Sequence, residues 1–333
     1  MNLEKKDTKI ILKLDYRARD SFSKIAKELK FSKDFVINRI KKLEKDGLIE
    51  GYYSVIDYYI LGFKTYKLYV KLNKIDLSLE KEILNFLKKE AEVRFLSFVS
   101  NDYDLIITYN VKKEEDFFRA YREFSFKFSN FISKKDLAIV NSQHHFKQPI
   151  FDNNEKVKGE KREKNEIFSS LSRKENEIVS LNKSDIELLK IISLNAKIKF
   201  IDLARKLDKN SNSLLYALKS LEKRKIILGY RPRINFNKLG KSHYIINLNL
   251  KNMNSKNYSK LFKLISSLNG IIYISECIAH FDLEFELVSE NNFEMMKEIN
   301  ILKENSSEYL VDLKIRNVLE TFAINYTPFS QQK

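Results

Sequence analysis

The stretch Leu43–Tyr52, LEKDGLIEGY, has a counterpart at Leu221–Tyr230, LEKRKIILGY. The two stretches lie 178 residues apart (221 − 43 = 178). Matches at this same offset run without a gap from Asp7 to Leu72 in the first half and from Asp185 to Leu250 in the second. A repeat of this length predicts two copies of one structural module, so whatever one copy does can be done twice.

The composition allows folded cores and excludes several kinds of site. With 333 residues and 43% hydrophobic side chains, the chain has room for about two to four domains. The formal net charge of +16 favours a polyanionic partner such as nucleic acid, although the lysine-rich usage of an A·T-rich genome is an alternative explanation. Because Cys277 is the only cysteine, an internal disulfide and a zinc site built from several thiolates are excluded.

The apolar runs of the sequence predict a cytoplasmic protein. The first residues mix acidic and basic side chains and lack the apolar segment of a signal peptide. No apolar run approaches the ~20 residues that a membrane-spanning helix needs, so we expect no membrane partner. The sequence contains no phosphate-binding glycine loop and no HExxH run, and we expect no catalytic residue, no metal site and no cofactor.

The first part of each copy predicts three short helices. In the first copy, Val36, Ile40 and Leu43 fall on one stripe of a helix. Ser32 stands at the N-cap position of that helix, and Gly47 stands where a terminating glycine is expected. Helices this short are stable only when they pack on one another. The pattern therefore predicts a helix-turn-helix.

The second part of each copy predicts strands and helices in the order βαββαβ. This order is typical of an antiparallel sheet with helices on one face, the ferredoxin-like arrangement. The predicted fold class is therefore α+β, with two copies of a plain or winged helix-turn-helix, each followed by a ferredoxin-like domain.

Five segments follow from these patterns. They are a helix-turn-helix DNA-binding domain at 1–62, a ferredoxin-like ligand-sensing and dimerisation domain at 63–151, a charged linker at 152–180, a second and degenerate helix-turn-helix domain at 181–240, and a second ferredoxin-like domain at 241–329. The linker is assigned because a segment with dense charge and few large apolar residues cannot offset the entropy lost on ordering.

The ordered set of repeated positions resembles the Lrp/AsnC family of prokaryotic transcription regulators. In the first copy the resemblance rests on Asp7, Ile10, Ile11, Leu14, Ala18, Arg19, Ile25, Ala26, Leu29, Ser32, Val36, Arg39, Ile40, Leu43, Glu44, Gly47, Leu48, Ile49, Gly51, Tyr52, Leu61 and Gly62. It implies double-stranded DNA as a partner and a ferredoxin-like domain that dimerises and often senses amino acids. Here the two copies could pair within one chain as a pseudo-dimer, and a higher homo-oligomer is left open.

The chain departs from the family pattern in both copies. In the second copy Ala217 replaces Arg39 and Lys225 replaces Gly47. Near the effector pocket, the family has a glycine where this chain has an asparagine and an alanine. If a small-molecule effector binds, the resemblance implies that its site contains Asn101, Asp102, Asp104, Ala279 and Asp282.

A polar helix face supplies the predicted DNA contacts. With Val36, Ile40 and Leu43 turned inward, steps of 100° per residue direct the polar residues to the opposite side. The predicted DNA-binding residues are Ser32, Lys33, Asp34, Asn38, Arg39, Lys41, Lys42 and Lys45 in the first copy and Ser211, Asn212, Ser213, Tyr216 and Lys219 in the second. Asparagine can bind adenine through two hydrogen bonds, and lysine can reach guanine or phosphate. An ordinary solvated helix face is the alternative, and Arg39 either contacts phosphate or forms an ion pair.

Several alternatives remain open at this stage. The second helix-turn-helix either reads a second half-site or serves as a structural partner, with Arg224, Lys225, Arg231 and Arg233 predicted as a basic rim. We predict a sequence-specific regulator and not an enzyme. A nucleoid-compacting protein that binds mainly through charge is one alternative. A siroheme decarboxylase is another, because that family uses the same scaffold, although this chain has no tryptophan.

Overall fold

The structure, a computed structural model, describes residues 3–74, 76–147, 168–323, 327 and 329. It contains two compact units, and each unit takes segments from both halves of the chain. The helical unit consists of Met1–Asp57, Phe146–Phe168 and Ser180–Lys241, and the sheet unit consists of Tyr58–His145, Ser169–Val179 and Ser242–Lys333. Like domains of the two copies are therefore grouped together, with divisions after residues 57 and 241 where the sequence suggested 62 and 240.

Both copies contain the same elements in the same order. The first copy contains α1 (Lys5–Leu14), α2 (Phe22–Leu29), α3 (Lys33–Lys45), β1 (Ile49–Ile56), β2 (Lys64–Leu72), α4 (Leu77–Leu87), β3 (Val93–Val99), β4 (Leu105–Val111), α5 (Glu114–Lys127) and β5 (Ile132–His145). After the short strand β6 (Phe168–Leu171), the second copy contains α6 (Lys183–Leu194), α7 (Phe200–Leu207), α8 (Ser211–Lys223), β7 (Ile227–Ile234), β8 (Ser242–Leu250), α9 (Ser255–Ser267), β9 (Ile271–Ile278), β10 (Leu283–Ser289), α10 (Asn292–Ser306) and β11 (Leu310–Ala323). The predicted fold class is confirmed.

The 178-residue offset holds well beyond the region where side chains match. Helices α3 and α8 correspond end to end, since 33 + 178 = 211 and 45 + 178 = 223. The last strands β5 and β11 also correspond end to end, since 132 + 178 = 310 and 145 + 178 = 323. The repeated architecture therefore continues past Leu72, where the matches in sequence stop.

Helix α3 shows how the sequence sets the local structure. Val36, Ile40 and Leu43 are buried, as their helical spacing predicted. The Ser32 hydroxyl accepts a hydrogen bond from the backbone N–H of Phe35 at 3.2 Å. Gly47 follows the helix with a φ of +71°, a conformation that glycine adopts without the strain a Cβ would cause. The helix therefore begins and ends at the residues that the sequence indicated.

The strands that follow α3 and α8 pair with each other. β1 and β7 form a two-stranded antiparallel sheet in which Tyr52 lies opposite Pro232 and Ser54 lies opposite Tyr230. This pairing satisfies backbone N–H and C=O groups of both strands. The wing is therefore a joint structure that takes one strand from each copy.

One sheet in the sheet unit is shared by both copies. Its strand order is β2-β4-β3-β11-β8-β10-β9-β5-β6, and β2 also pairs with β5, so that eight of the described strands form a continuous ring. Strand β5 pairs with β2 of its own copy through residues 132–140 and with β9 of the other copy through residues 139–145. Strand β11 pairs in the same way with β8 and β3.

The two faces of the shared sheet have different surroundings. Tyr66, Leu68 and Val70 of β2 belong to a core with residues of α4 and α5. Successive side chains of a strand point to opposite faces. Tyr69 accordingly lies on the other face, in a cluster with Ile106 of the first copy and Ile245 of the second. We call this second face the ring interior.

The described part of the predicted linker, residues 168–180, is partly ordered into regular structure. Strand β6 joins the sheet beside β5, and a short 3-10 turn follows at Glu175–Glu177. Composition alone did not predict this edge strand. Residues 152–167 of the predicted linker lie outside the described residues. Among the helices that the structure describes, none is both long enough and apolar enough to cross a membrane.

Candidate nucleic-acid interface

The predicted DNA-binding residues of the first copy lie on the outer side of α3. The exposed members are Ser32, Lys33, Asp34, Asn38, Lys41, Lys42 and Lys45, while Arg39 is half-buried. The inner side of α3 is held in the core by Val36, Ile40 and Leu43. A recognition helix must present polar side chains in this way to enter the major groove.

The N-terminus of α3 is suited to bind an anion. Ser32 caps the helix, and Ser21 caps α2 by accepting a hydrogen bond from the backbone N–H of Lys24 at 3.2 Å. The remaining first-turn N–H groups and the helix dipole attract phosphate oxygens. Lys33 is exposed in the first turn of α3 and adds a positive charge there. The beginning of α3 can therefore bind a phosphate while its middle reaches base edges.

The corresponding helices of the two copies differ in charge. Helix α3 contains five Lys or Arg residues and two Asp or Glu residues, a net charge of +3 (5 − 2 = 3). Helix α8 contains two and one, a net charge of +1 (2 − 1 = 1). Because cations at the DNA backbone supply much of the affinity, α3 is the better suited of the two to bind DNA.

Arg39 forms an ion pair in the structure. Its Nε donates a hydrogen bond to Asp7 Oδ1 at 2.7 Å, and its NH2 group contacts Asp7 Oδ2 as well as Glu4 at 2.8 Å. The hydrogen bonds from the guanidinium to Asp7 raise the pKa of Arg39. Of the two roles that the sequence left open, the structure therefore contains the brace between α1 and α3.

The second copy stabilises its equivalent of Asp7 in another way. Asp185 is buried, but the position of Arg39 is taken by Ala217. Arg224, which directly follows α8, donates to Asp185 at 3.1 Å and to the carbonyl oxygen of Ser180 at 2.8 Å. One arginine thus replaces another at a different sequence position.

The predicted basic rim of the second copy is wrong for Arg231. Arg231 is only 1% exposed and pairs with Asp15 of the first copy, with Nε 2.6 Å from Asp15 Oδ1. Its NH2 group also donates to the carbonyl oxygen of Phe146 at 3.2 Å. The prediction failed because the buried carboxylate is supplied by a residue 216 positions earlier. Lys225 is exposed, as a rim residue must be.

Most of the predicted contact residues on α8 reach solvent. Asn212, Ser213, Tyr216 and Lys219 are exposed, and Ser211 is half-buried. The side chain of Asn210 caps the helix by accepting from the backbone N–H of Asn212 at 2.8 Å. Tyr216 is 73% exposed, which leaves its ring free to contact a groove or a sugar.

A pseudo-symmetric set of backbone hydrogen bonds joins the two helix-turn-helix domains within the helical unit. The N–H of Ala18 donates to the carbonyl of Tyr230 at 2.9 Å, and the N–H of Ala196 donates to the carbonyl of Tyr52 at 3.0 Å. Each tyrosine hydroxyl in turn donates to a glutamate of its own copy at 2.6 Å. Burial raises the pKa of both tyrosines, so they remain neutral donors.

Two cations extend this symmetry across the same contact. Arg19 lies over the ring of Phe200 at 4.9 Å, and Lys197, its equivalent at the 178-residue offset, lies over the ring of Phe22 at 4.2 Å. Such contacts are attractive because the ring face is electron-rich. Arg19 also donates to the carbonyl of Ala196. Burial lowers the pKa of Lys197 to about 8.

Two of the predicted effector residues in the first copy contact the second copy. Asn101 has a φ of +92°, and its side-chain amide donates to the carbonyl of Ile315 at 2.6 Å. Asp102 receives two hydrogen bonds from Arg316, at 2.6 and 2.8 Å. Although burial opposes it, the Arg316 guanidinium lowers the pKa of Asp102. The structure therefore places these residues at the joint between the two ferredoxin-like domains.

The other predicted effector residues also have structural contacts. Asp104 accepts from the N–H of Leu72 at 2.7 Å, and its equivalent Asp282 accepts from the N–H of Leu250 at 2.8 Å. Ala279 packs against the ring interior. A shallow cleft is lined by Asn247, Asn249, His280, Phe281, Asp312, Leu313 and Lys314. None of the five predicted residues lines this cleft.

Known proteins share both the sequence pattern and the fold. A sequence profile described as winged helix-turn-helix DNA-binding matches residues 181–227. The HTH-type transcriptional regulator Ptr1 of Methanocaldococcus jannaschii is 36% identical over 107 residues, which are 31% of this chain and 69% of that protein. LrpA of Pyrococcus horikoshii is 33% identical over 116 residues, which are 34% of this chain and 79% of that protein. The chain belongs to the Lrp/AsnC family.

Each of these relatives matches about one third of the chain (31% and 34%). A match of this length fits within one copy of the repeat, so membership of the Lrp/AsnC family agrees with the repeat. The profile match at 181–227 falls in the copy that the sequence indicated as degenerate. The second helix-turn-helix thus keeps the scaffold positions of the family despite the changes at Ala217 and Lys225.

The fold of this Lrp/AsnC member is shared with a solved structure over nearly its whole length. The siroheme decarboxylase NirDL aligns with 95% of this chain and 92% of its own, with a TM-score of 0.60 and 14% identity. NirDL in co-complex with an iron-uroporphyrin III analogue gives a TM-score of 0.61 at 13% identity, over 97% of this chain and 95% of its own. At this identity the likeness shows the fold alone.

A set of charged residues in the ring interior was not predicted from the sequence. Lys67 of β2 contacts Glu284 of β10, and Arg316 of β11 contacts Asp102. Lys67 alternates with the apolar residues Tyr66 and Leu68, so its position on the strand looked like the solvent face of a sheet covered on one side only. A closed ring leaves no such face, and this could not be inferred from alternation alone.

Proposed function

We propose that the protein is a cytoplasmic, sequence-specific DNA-binding transcription regulator and not an enzyme. The observation that carries the proposal is the capped, basic outer face of α3 in a chain of the Lrp/AsnC family. The relatives Ptr1 and LrpA are named HTH-type transcriptional regulators. The net charge of +16 supports binding to a polyanion.

The regulator acts as a pseudo-dimer within one chain. Three strand pairings join the copies: β1 with β7, β3 with β11 and β5 with β9. Such pairings are what two separate subunits would use to dimerise, and here a covalent linker replaces association between chains. Higher assembly of these pseudo-dimers is compatible with the proposal and would be detected by light scattering.

The two helix-turn-helix domains contribute unequally to recognition. Lysines on α3 contact phosphates and supply most of the affinity, while Asn38 binds a base edge and supplies specificity. At the position of Asn38, helix α8 carries Tyr216 (38 + 178 = 216), which cannot form the same pair of hydrogen bonds with adenine. We therefore expect an asymmetric operator rather than a palindrome.

Selection of binding sites from random duplex DNA, repeated over a salt series, tests this proposal. A defined asymmetric motif is the expected result. A palindromic motif that needs two chains would contradict the unequal roles of α3 and α8. Failure to enrich any motif, together with a steep salt dependence, would indicate the nucleoid-compacting alternative.

Variants on α3 separate specific from nonspecific contacts. Asn38→Ala should relax preference at one base pair by about 1–3 kcal/mol, and Tyr216→Ala is the matched change on α8. Lys41→Ala should weaken binding to all sequences and lower the salt slope by about 1. Lys88→Ala removes an exposed lysine next to α4 and should leave both quantities unchanged. If Asn38→Ala weakens binding to every sequence equally, Asn38 does not read a base.

A siroheme decarboxylase is the second candidate, because NirDL matches the fold over 95% of this chain. The cleft beside Asn247 and His280 encloses essentially no volume, whereas small-molecule sites typically enclose ~300 Å³ or more. This comparison supports the regulator. Incubation with siroheme, followed by mass analysis of the tetrapyrrole, tests the alternative directly. Loss of carboxyl groups, together with no DNA binding, would replace the regulator by the enzyme.

Small-molecule control of this regulator is a separate part of the proposal. Two of the predicted effector residues, Asn101 and Asp102, contact the other copy where the two ferredoxin-like domains meet, so a ligand bound there would change the joint itself. Thermal shift with the common amino acids tests for such a ligand. A rise in Tm that disappears in Asp102→Asn would support it, and the absence of any shift would argue against amino-acid sensing.

A further inference from the structure

Buried ion pairs in this protein join the two copies asymmetrically. In the ring interior, Lys67 of the first copy contacts Glu284 of the second, and their side chains are 7% and 1% exposed. Glu284 also accepts a hydrogen bond from the Asn247 side chain at 2.9 Å and one from the Tyr69 hydroxyl. These polar groups satisfy one another beside the apolar cluster of the ring interior.

The position related to this ion pair by the repeat is apolar. At the 178-residue offset, Lys67 corresponds to Ile245 (67 + 178 = 245) and Glu284 to Ile106 (284 − 178 = 106). Ile106 and Ile245 are both buried in the ring interior. The interface therefore has a charged contact at one of its two related positions and an apolar contact at the other.

The helical unit contains a second asymmetric pair. Asp15 and Arg231 are 3% and 1% exposed and lie 2.6 Å apart. Their equivalents are Ser193 (15 + 178 = 193) and Tyr53 (231 − 178 = 53), which carry no charge. Charge complementarity between the copies is thus built into both units independently.

Pairing between like modules would bury unmatched charges. In a pair of first modules, Lys67 would face Ile106, and Asp15 would face Tyr53. In a pair of second modules, Glu284 would face Ile245, and Arg231 would face Ser193. A buried charge without its partner is strongly destabilising, whereas replacing both members of a buried pair by apolar residues is often neutral. First-with-first and second-with-second pairs are therefore disfavoured, whereas the first-with-second pair is not.

We propose that the buried pairs Lys67–Glu284 and Asp15–Arg231 make each module a selective partner for the unlike module. The interface of the first module binds a second module, from the same chain or from another copy of the chain. It does not bind another first module. The inference rests on the pseudo-dimer part of the proposed function but not on DNA binding, and its tests contain no DNA.

Native mass spectrometry of a chain cut between its modules tests the selectivity. A protease site placed within residues 152–166, outside the described residues, gives two fragments of different mass after folding. The cut protein is unfolded in urea, refolded and weighed. The wild-type protein should return only first-with-second pairs. A statistical mixture with first-with-first and second-with-second pairs would overturn the proposal.

A variant with matched copies isolates the cause. Lys67→Ile and Glu284→Ile, together with Asp15→Ser and Arg231→Tyr, give each of these positions the residue of its counterpart. Arg316→Ala and Asp102→His do the same for the remaining charged contact between the copies, since the equivalents are Ala138 (316 − 178 = 138) and His280 (102 + 178 = 280). After cutting and refolding, the fraction of first-with-first and second-with-second pairs should be about a hundredfold or more higher in this variant than in the wild-type protein. Replacement of the exposed pair within the first copy, Lys64→Gln with Glu114→Gln, is the control and should leave the wild-type result unchanged. Unlike pairs alone in the matched variant would refute the role of these charges.

Uncut chains supply a second test that needs no refolding of fragments. Lys67→Glu and Glu284→Lys should each lower the Tm of the full chain, because each places like charges together in the ring interior. Refolded as a mixture, the two variants should form a heterodimer of twice the mass, since exchange of modules between them restores an opposite-charge pair in each ring. Two variants that keep the wild-type Tm and stay monomeric when mixed would contradict the proposal.

Discussion

Arg231→Met should destabilise the helical unit by about 3–5 kcal/mol, the usual effect of removing one partner from a buried ion pair. Arg231 and Asp15 are 1% and 3% exposed, so water cannot replace the lost contacts. The guanidinium donates to Asp15 at 2.6 and 3.1 Å and to the carbonyl of Phe146 at 3.2 Å. Methionine fills most of the space but removes the guanidinium that pairs with the buried Asp15 carboxylate.

A double-mutant cycle with hydrogen exchange as the readout measures this effect. Amide exchange in β1 and β7 reports opening of the helical unit, because these strands pair with each other. Asp15→Leu combined with Arg231→Met should be more stable than either single variant, with a coupling free energy of roughly 1–3 kcal/mol. Arg205→Met is the control, since Arg205 is 77% exposed and its contact with Asp202 is 3.8 Å long.

Two results would refute this reasoning. A loss of less than about 1 kcal/mol in Arg231→Met would place the pair in the range of surface salt bridges. A double variant no more stable than the single variants would mean that Asp15 tolerates burial without Arg231.

Three further expectations follow from contacts in the helical unit. Tyr52→Phe and Tyr230→Phe should cost similar amounts, about 1–2 kcal/mol each in urea unfolding, because both hydroxyls donate to a glutamate at 2.6 Å; very unequal losses would contradict the pseudo-symmetry. Burial lowers the pKa of Lys197 from 10.5 to about 8, so the unfolded chain holds this proton to higher pH and stability should rise between those values. Lys197→Met should abolish that rise in unfolding curves. Arg39→Ala should lower the Tm, because the buried Asp7 carboxylate loses its arginine partner. The same variant should leave the salt slope of DNA binding unchanged, and a smaller slope would mean that Arg39 contacts phosphate.

The elements of the helix-turn-helix could be predicted because their determinants are local. Ser32 and Gly47 mark the ends of α3 through the backbone geometry of neighbouring residues. The apolar spacing of Val36, Ile40 and Leu43 defines its buried face. The exposed residues on its outer side followed from the same periodicity and needed no knowledge of the second copy.

The partners of individual charges could not be predicted in the same way. Arg224 and Arg231 are only seven positions apart (231 − 224 = 7), yet one binds Asp185 of its own copy and the other binds Asp15 of the other copy. Arg231 and Asp15 are separated by 216 positions, and no local rule connects residues so far apart. Lys67 likewise occupies a strand position that would face solvent in an open sheet.

The sequence by itself determined that the chain contains two equivalent modules and how each is organised, because hydrophobic spacing and capping residues act within a few positions. Only the tertiary structure decided that like domains group together, that β2 and β5 complete a ring, and that charged side chains become buried where the copies meet. Burial depends on which distant segments cover a strand, and that is a property of the assembled chain rather than of any stretch within it.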